Sequence, residues 1–324
     1  MSELKEQLAI GVDLGGTNAR VALVSTSAGV VESERIATSS LERPGQFVDW
    51  LAQHVATWSK DRHLVGVGIG APNGHHGRGT IENPPNLPWS GVSPVVSMLA
   101  EATGKQVTLD NDANAAALGE ARFGAGRGHD HFAMVTLGTG IGGGVVVDGN
   151  VLRGADGFGG EVGHLIVEHG GRPCGCGRRG CAETYASVRG LLATVLQGVE
   201  RGDPGAEAFD DEAFRTDFEA AGRRVGEAAA AGNPLALAAY GHAAEMLGRA
   251  LADLASITAP SRVVLFGGLV LAGDAFLGPL ERHFEAGLLS CHRGLIELVV
   301  SSLPPGHAAL LGAAELAFRR ADQA

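Results

Sequence analysis

The sequence predicts an α/β protein made of two related halves, with a metal-stabilised loop following the second hairpin. Three observations carry that reading. Apolar strand-like runs alternate with helical patterns along the 324 residues, the arrangement in which helices cover a sheet. The segments LAIGVDLGGTNARVALVS and FAMVTLGTGIGGGVVV share one design, an apolar strand, a glycine-and-threonine tip and a second apolar strand. Between Gly160 and Glu183 a histidine and three cysteines stand in an H-x9-C-x-C-x4-C pattern among glycines and a proline.

In chain order, the first hairpin spans residues 8–25, with Gly15, Gly16 and Thr17 at its tip. Helical periodicity covers Pro44–Lys60, Val92–Thr103 and Asp112–Phe123, and strand runs Leu64–Gly70 and Gln106–Leu109 lie between them. The second hairpin, 132–147, carries Gly138, Thr139, Gly140 and Gly142 around its tip. Residues 200–232, charged and alanine-rich around a GDPG turn, read as a surface helical insertion to which no role is assigned. A long alanine-rich helix follows over Pro234–Thr258, then the apolar run RVVLF, which ends at Gly267 and Gly268 as a buried strand ends at a ligand. A strand at Ile296–Val300 and an amphipathic helix at His307–Arg320 close the chain. The expected division is a small N-terminal domain of residues 1–110, to which 307–324 return, and a larger domain of 111–306 holding the metal loop.

His164, Cys174, Cys176 and Cys181 suit tetrahedral Zn2+, because thiolate and imidazole are the donors that ion takes in closed structural sites. A disulfide fits less well, since three closely spaced thiols cannot pair completely and Cys291, far along the chain, reads as a small core residue. The intervening glycines let the backbone wrap one ion, and the loop fixes its flanks, Glu161 and Glu183.

Twenty-five basic against 36 acidic residues give a net charge of −11, which repels phosphate backbones and anionic lipid, so nucleic acid and membrane surfaces are not the expected partners. A small molecule is. The N-terminus has no signal-peptide pattern, no apolar stretch reaches spanning length, and a cytoplasmic location, where thiols stay reduced, is expected.

Glycine-tipped hairpins turn backbone N–H groups inward, where they can cradle phosphate oxygens. Such hairpins are also common as plain structure; two matching ones together with Gly267 and Gly268 favour the phosphate reading, with Thr17 and Thr139 adding hydroxyls. No Walker A pattern is present. Asp13, just before the first tip, either caps the turn or reaches a Mg2+–nucleotide complex. In LDNDANAAALGEARFG a strand meets a helix near Asp112. Capping alone would place a carboxylate there, but with Asn111 beside it the pair also matches what is needed to grip and deprotonate a sugar hydroxyl.

These motifs resemble the ROK family (repressor, open reading frame, kinase), and within it the bacterial sugar kinases of glucokinase type. The resemblance rests on GVDLGGTNARVALV, PPNLPW at 84–89, LDNDANAAALGEARFG, VTLGTGIGGGVVVDG, and EVGH followed by CGCGRRGCAE, with the Gly267–Gly268 pair and the last helix continuing it. It implies an actin-like fold of two ribonuclease-H-like domains with ATP and sugar in the cleft between them. It implies that Asp112 is the general base, that Asn111, Glu161, His164 and Glu183 bind sugar hydroxyls with Asn86 as a further contact, and that His164 and the three cysteines hold structural zinc. His164 would then bind metal with one nitrogen and sugar with the other.

The implied function is ATP- and Mg2+-dependent phosphorylation of glucose at its 6-hydroxyl, by a homodimer or homotetramer. N-acetylmannosamine, N-acetylglucosamine and fructose are the competing substrates. A sugar-sensing regulator is the reading from another class; against it stand the acidic charge and the few residues before the first strand. A catalytically dead zinc scaffold is disfavoured by the presence of Asp112, both glycine loops and Glu183. One departure from the family pattern is APNGHHGRG after the Leu64–Gly70 strand, where many members have Pro-Gly; Asn73 is expected to alter a turn near the sugar, and His75 and His76 to be exposed loop residues.

Overall fold

The computed structural model describes residues 6–84 and 86–323; the first five residues, part of the leader reading, and Pro85 of PPNLPW lie outside them. In chain order the strands are β1 (Leu8–Leu14), β2 (Asn18–Ser25), β3 (Gly29–Ala37), β4 (Leu64–Ala71), β5 (Gly74–His75), β6 (Thr80–Glu82), β7 (Val92–Ser93), β8 (Val107–Asn111), β9 (Phe132–Leu137), β10 (Ile141–Val147), β11 (Asn150–Val151), β12 (Arg262–Gly267) and β13 (Glu297–Val300). The helices are α1 (Pro44–Trp58), α2 (Val95–Thr103), α3 (Asp112–Phe123), α4 (Glu183–Ala186), α5 (Val188–Arg201), α6 (Glu212–Thr216), α7 (Phe218–Ala230), α8 (Pro234–Thr258), α9 (Asp274–Gly287) and α10 (His307–Asp322).

The two large sheets have one topology, β3-β2-β1-β4-β8 and β11-β10-β9-β12-β13, so the repeated hairpin design does mark a repeated fold unit. In the first sheet β1 pairs antiparallel with β2 and β2 with β3, whereas β4 runs parallel to both β1 and β8. In the second, β12 runs parallel to β9 and β13, and β10 is antiparallel to β11. By packing, the chain divides into one unit of Met1–Asp130, Gly144–Gly160 and Ser301–Ala324 and another of His131–Gly143 and Glu161–Val300. Helix α3 thus groups with the first unit, whereas the sequence reading put it with the residues that follow.

The reason is the period of two in β1 and β4. Ile10, Val12, Leu14, Val67 and Ile69 face one core with Phe47, Leu51 and Val55 of α1. The alternate positions face α10 and α3, which pack hard on the strands. Gly68 lies against the Ala313 carbonyl and Gly312 against that of Ala115, contacts that a Cβ at either position would occupy, so α3, α10 and β4 form one block. Each fully buried Leu, Ile or Phe in these layers contributes about 1.5–3 kcal/mol.

Helix α2 starts at Val95, not Val92, because Pro94 forces its predecessor into extended backbone and Val92–Ser93 becomes β7. Cys291 is exposed rather than in the core. His75 is buried, its ring edge-on to Phe158 at 5.9 Å, and its Nδ1 accepts the Arg78 N–H at 3.1 Å; His76 Nδ1 lies 2.8 Å from the Leu109 carbonyl. The expectation of two unpaired loop histidines is therefore corrected: the short β5–β6 hairpin folds them back onto the unit. Asn73 opens that hairpin at φ 52°, a left-handed conformation asparagine tolerates, and its amide donates to the carbonyls of Glu82 and Asn83 at 3.0 and 3.2 Å.

Candidate functional site

In the first unit the groups named by the sequence gather at the carboxyl ends of β1 and β8. β8 runs into α3, and Asn111 caps the helix: its Oδ1 accepts N–H groups of Ala113 (2.9 Å) and Asn114 (3.4 Å). Capping thus accounts for Asn111 and leaves Asp112, the first helical residue, to present its carboxylate beside the cap, with Oδ1 taking the Ala113 N–H at 2.9 Å. Burial raises the Asp112 pKa, opposed by that N–H and by the Asn111 amide. Asp13 lies on the same face of the sheet, and its pKa is pushed up to about 6 by burial, with the Asp112 charge adding to the rise and Arg20 opposing it. Two carboxylates are thus held where neither ionises at no cost.

Beside them, the Gly15 N–H donates to the Asn18 carbonyl at 3.0 Å and closes the first tip, leaving Gly16 and Thr17 exposed. Asn86 is exposed between the buried Leu87 and the preceding loop, while Trp89, its indole N–H on the Leu41 carbonyl at 2.6 Å, pins the segment. A Cβ on Gly16 would stand 2.8 Å from that of Asn86, so tip and loop touch.

In the second unit the corresponding tip is closed by the Gly138 N–H on the Gly140 carbonyl at 3.0 Å, and Thr136 Oγ1 accepts the Gly142 N–H at 3.0 Å. Beside it Gly267 ends β12 and Gly268 opens the turn that follows, so the apolar strand ends at the glycine pair as the sequence pattern predicts. Gly138, Thr139 and Gly268 line one part of a cavity of about 680 Å³ walled by Val188, Leu191, Phe218 and Tyr240. Helix α7 contributes Phe218, Gly222, Gly226 and Ala230, one residue per turn along one face. The 200–232 segment, to which the sequence assigns no role, therefore walls a cavity; the four-residue spacing of Phe218, Gly222 and Gly226 was the available signal. A wider groove of about 1050 Å³ along α9 and β13 contains none of the predicted site residues.

The four metal-ligand candidates converge: His164, Cys174, Cys176 and Cys181 present donor atoms all within 4.8 Å of one another. Cys174 Sγ lies 3.5 Å from His164 Nδ1, and Cys176 Sγ 3.6 Å from Cys181 Sγ. Tetrahedral zinc with bonds of about 2.3 Å to sulfur and 2.0 Å to nitrogen spaces its donors by roughly 3.5–3.8 Å, so the residues fit the ion. The glycines act as expected: Cys174 N–H reaches the Arg178 carbonyl at 2.9 Å and Gly177 N–H the Cys174 carbonyl at 3.0 Å, closing a tight turn. Hydrogen bonds from Arg178 hold the Cys176 thiol down to about 6, while burial raises Cys174 and pushes Cys181 up to about 12. Two of the thiols therefore stay protonated at neutral pH unless a cation takes the protons' place.

Glu183 follows the last cysteine by two residues and opens α4; its Oε2 accepts the Ile141 N–H at 3.0 Å, and its Oε1 is 3.9 Å from Cys174 Sγ. Glu161 is exposed, just before the turn that delivers His164.

A family model described as "ROK family" matches residues 9–320. The chain belongs to the ROK family. Among ROK proteins, the glucokinase of Thermotoga maritima is 37% identical over 315 residues, covering 96% of this chain and 97% of that one. A ROK-family glucokinase from Streptomyces griseus, solved with glucose and AMPPNP, is 35% identical with a TM-score of 0.77, over 96% of this chain and 99% of that one. The ROK hexokinase of Thermus thermophilus is 32% identical with a TM-score of 0.83, over 98% of this chain and all of that one, at 100%. The actin-like ROK kinase fold expected from the motifs is the fold observed. Among the described residues no helix is long and apolar enough to cross a membrane.

Proposed function

We propose that this ATP-dependent sugar kinase phosphorylates glucose at the 6-hydroxyl, with Asp112 as general base. The observation that carries the reading is the placement of Asp112: a carboxylate at the head of α3, one oxygen held by the Ala113 N–H and its proton affinity raised by burial. Such a group takes the hydroxyl proton as the sugar oxygen attacks the γ-phosphorus in line; the new O–P bond forms as the bond to the β–γ bridging oxygen breaks, and ADP leaves. The N–H groups at the Gly15–Thr17 and Gly138–Gly140 tips neutralise phosphate charge, and Gly267 and Gly268 let the nucleotide approach.

The cavity between the second tip and α7 is mostly apolar, with Phe218 and Tyr240 among its lining, which suits a purine base. Asp13 is the carboxylate that would hold Mg2+, directly or through water, and the ion would withdraw charge from the transferring phosphoryl group. Asn86, Asn111, Glu161, His164 and Glu183 supply donors and acceptors for sugar hydroxyls. The Cys174, Cys176, Cys181 and His164 Nδ1 set would hold Zn2+, which fixes the loop carrying those groups and has no open position for chemistry. Nε2 of the same imidazole is left for the sugar.

The test is ADP release from Mg-ATP across hexoses and N-acetylhexosamines, with Asp112→Ala as control. Selective turnover with glucose, lost in the variant while sugar still binds, is the expected result. Turnover confined to N-acetylmannosamine, N-acetylglucosamine or fructose would overturn the substrate, and full activity of the variant would overturn the base.

A further inference from the structure

In the first unit, a cavity of about 450 Å³ opens beside α10 and β8, and its ionisable lining consists of His76, Arg78, Arg153, Arg319 and Arg320, with no carboxylate. Such a lining is unexpected in a chain of net charge −11. Like charges brought together in a concavity repel, and low-dielectric walls strengthen the field they make.

Three of the arginines are held from behind. Arg78 Nε pairs with Glu82 at 3.0 Å, Arg153 Nε with Asp110 Oδ2 at 2.7 Å and Arg319 Nε with Glu315 Oε1 at 2.9 Å, while Arg122 shares Glu315 at 3.1 Å. Arg78 and Arg153 make these bonds through Nε, and among the described residues their Nη groups have no further partner. Arg320 is in no ion pair with a described residue. Arg319 Nη1 also donates to the Gly149 carbonyl at 2.9 Å, which leaves its Nη2. In Arg78 and Arg153 the carboxylates therefore orient the guanidinium forks without using them up, which is the arrangement that receives the oxygens of a phosphate group.

We propose that this cavity binds a small phosphate-bearing anion, at a place separate from the sugar and nucleotide groups described above. Its volume suits a metabolite rather than a bare ion. Occupancy has a path toward the chemistry. Arg153 holds Asp110, which is fully buried, and Asp110 Oδ1 accepts the Asn111 N–H at 2.8 Å and the Asn114 amide at 3.0 Å. An anion that draws on Arg153 thus acts on the cap that presents Asp112. The proposal does not depend on which sugar is phosphorylated.

The experiment is a titration of the full chain with inorganic phosphate, against chloride at matched ionic strength, reading the arginine Nε–H signals by 15N NMR. Saturating Mg-AMPPNP is present throughout so that the glycine tips are blocked. Saturable shifts of the Arg153 and Arg319 signals are expected, with binding at least tenfold weaker in Arg78→Gln/Arg320→Gln. Both replaced side chains are exposed, so an unchanged melting temperature will accompany the loss. Shifts that rise linearly as they do with chloride, or equal affinity in the double variant, would overturn the site.

Discussion

Glu183 and Ile141 tie the cysteine loop to the second hairpin: the carboxylate that follows the last zinc-ligand candidate accepts the N–H of the first residue after the glycine tip, at 3.0 Å. A shift of the cysteine loop is therefore felt at the hairpin. Gly140 makes the contact possible, since a Cβ there would run into the Glu183 carboxylate. Gly140→Ala is predicted to displace Glu183, raising the sugar KM and lowering kcat, each at least tenfold, with zinc content unchanged. Steady-state kinetics beside a colorimetric zinc assay decide it; wild-type kinetics in this variant would mean that the carboxylate has no part in the reaction.

The paired carboxylates give a pH-dependent prediction. The Asp13 pKa of about 6 lies above its unfolded value, so the folded chain holds the proton more tightly. That contribution to stability is fully present at pH below about 4 and is lost as pH rises through 6. Asp13→Asn removes the loss, at most on the order of 3 kcal/mol, and should melt several degrees above the parent at pH 7.5 but together with it near pH 4. In Asp112→Asn the neighbouring charge is gone, so the Asp13 carboxyl should titrate below 6, as followed by 13C NMR. Parallel melting curves at both pH values would show that Asp13 is not desolvated as described.

How much of this could be read from sequence depends on the range of the interaction. The hairpins, α3, α8 and α10 were legible because strand and helix periods are local, and the zinc donors because all four lie within 18 consecutive residues. Asn111 and Asp112 were legible as a cap and a candidate base, but their order of duties, with the Asn111 oxygen spent on the helix, needed coordinates. His75, Cys291 and α7 were misread or left without a role because burial of a short loop, exposure of a thiol and the wall of a cavity depend on residues tens of positions away. The place of α3 was missed for a similar reason: Gly68 and Gly312 decide it through backbone contact, which leaves no hydrophobic signature.

If the cysteine loop is folded by its metal, removing one ligand should act on the sugar side first. Cys176 is the exposed member of the set, so Cys176→Ala opens no cavity and isolates the loss of a donor. Zinc content is predicted to fall well below one ion per chain, the melting temperature to drop, and the sugar KM to rise by a larger factor than the ATP KM. Retention of a full zinc complement would show that the four residues are not the ligands.

The wall formed by α7 provides a test of the proposed nucleotide site that leaves the candidate metal and sugar groups untouched. Gly226 faces the cavity, and a Cβ there would stand 3.6 Å from the Tyr240 hydroxyl, ordinary contact, so the backbone can accept a side chain. Gly226→Leu then fills space needed by a base without straining the helix, and replacing an interior helical glycine contributes up to about 1 kcal/mol of helix stability. The ATP KM is predicted to rise at least tenfold, the glucose KM to stay within twofold, and the melting temperature not to fall. Gly226→Ala serves as the small-volume control and should bind nucleotide nearly as the parent does. If the leucine variant keeps the parent's ATP KM, the base binds elsewhere and α7 returns to being a structural insertion.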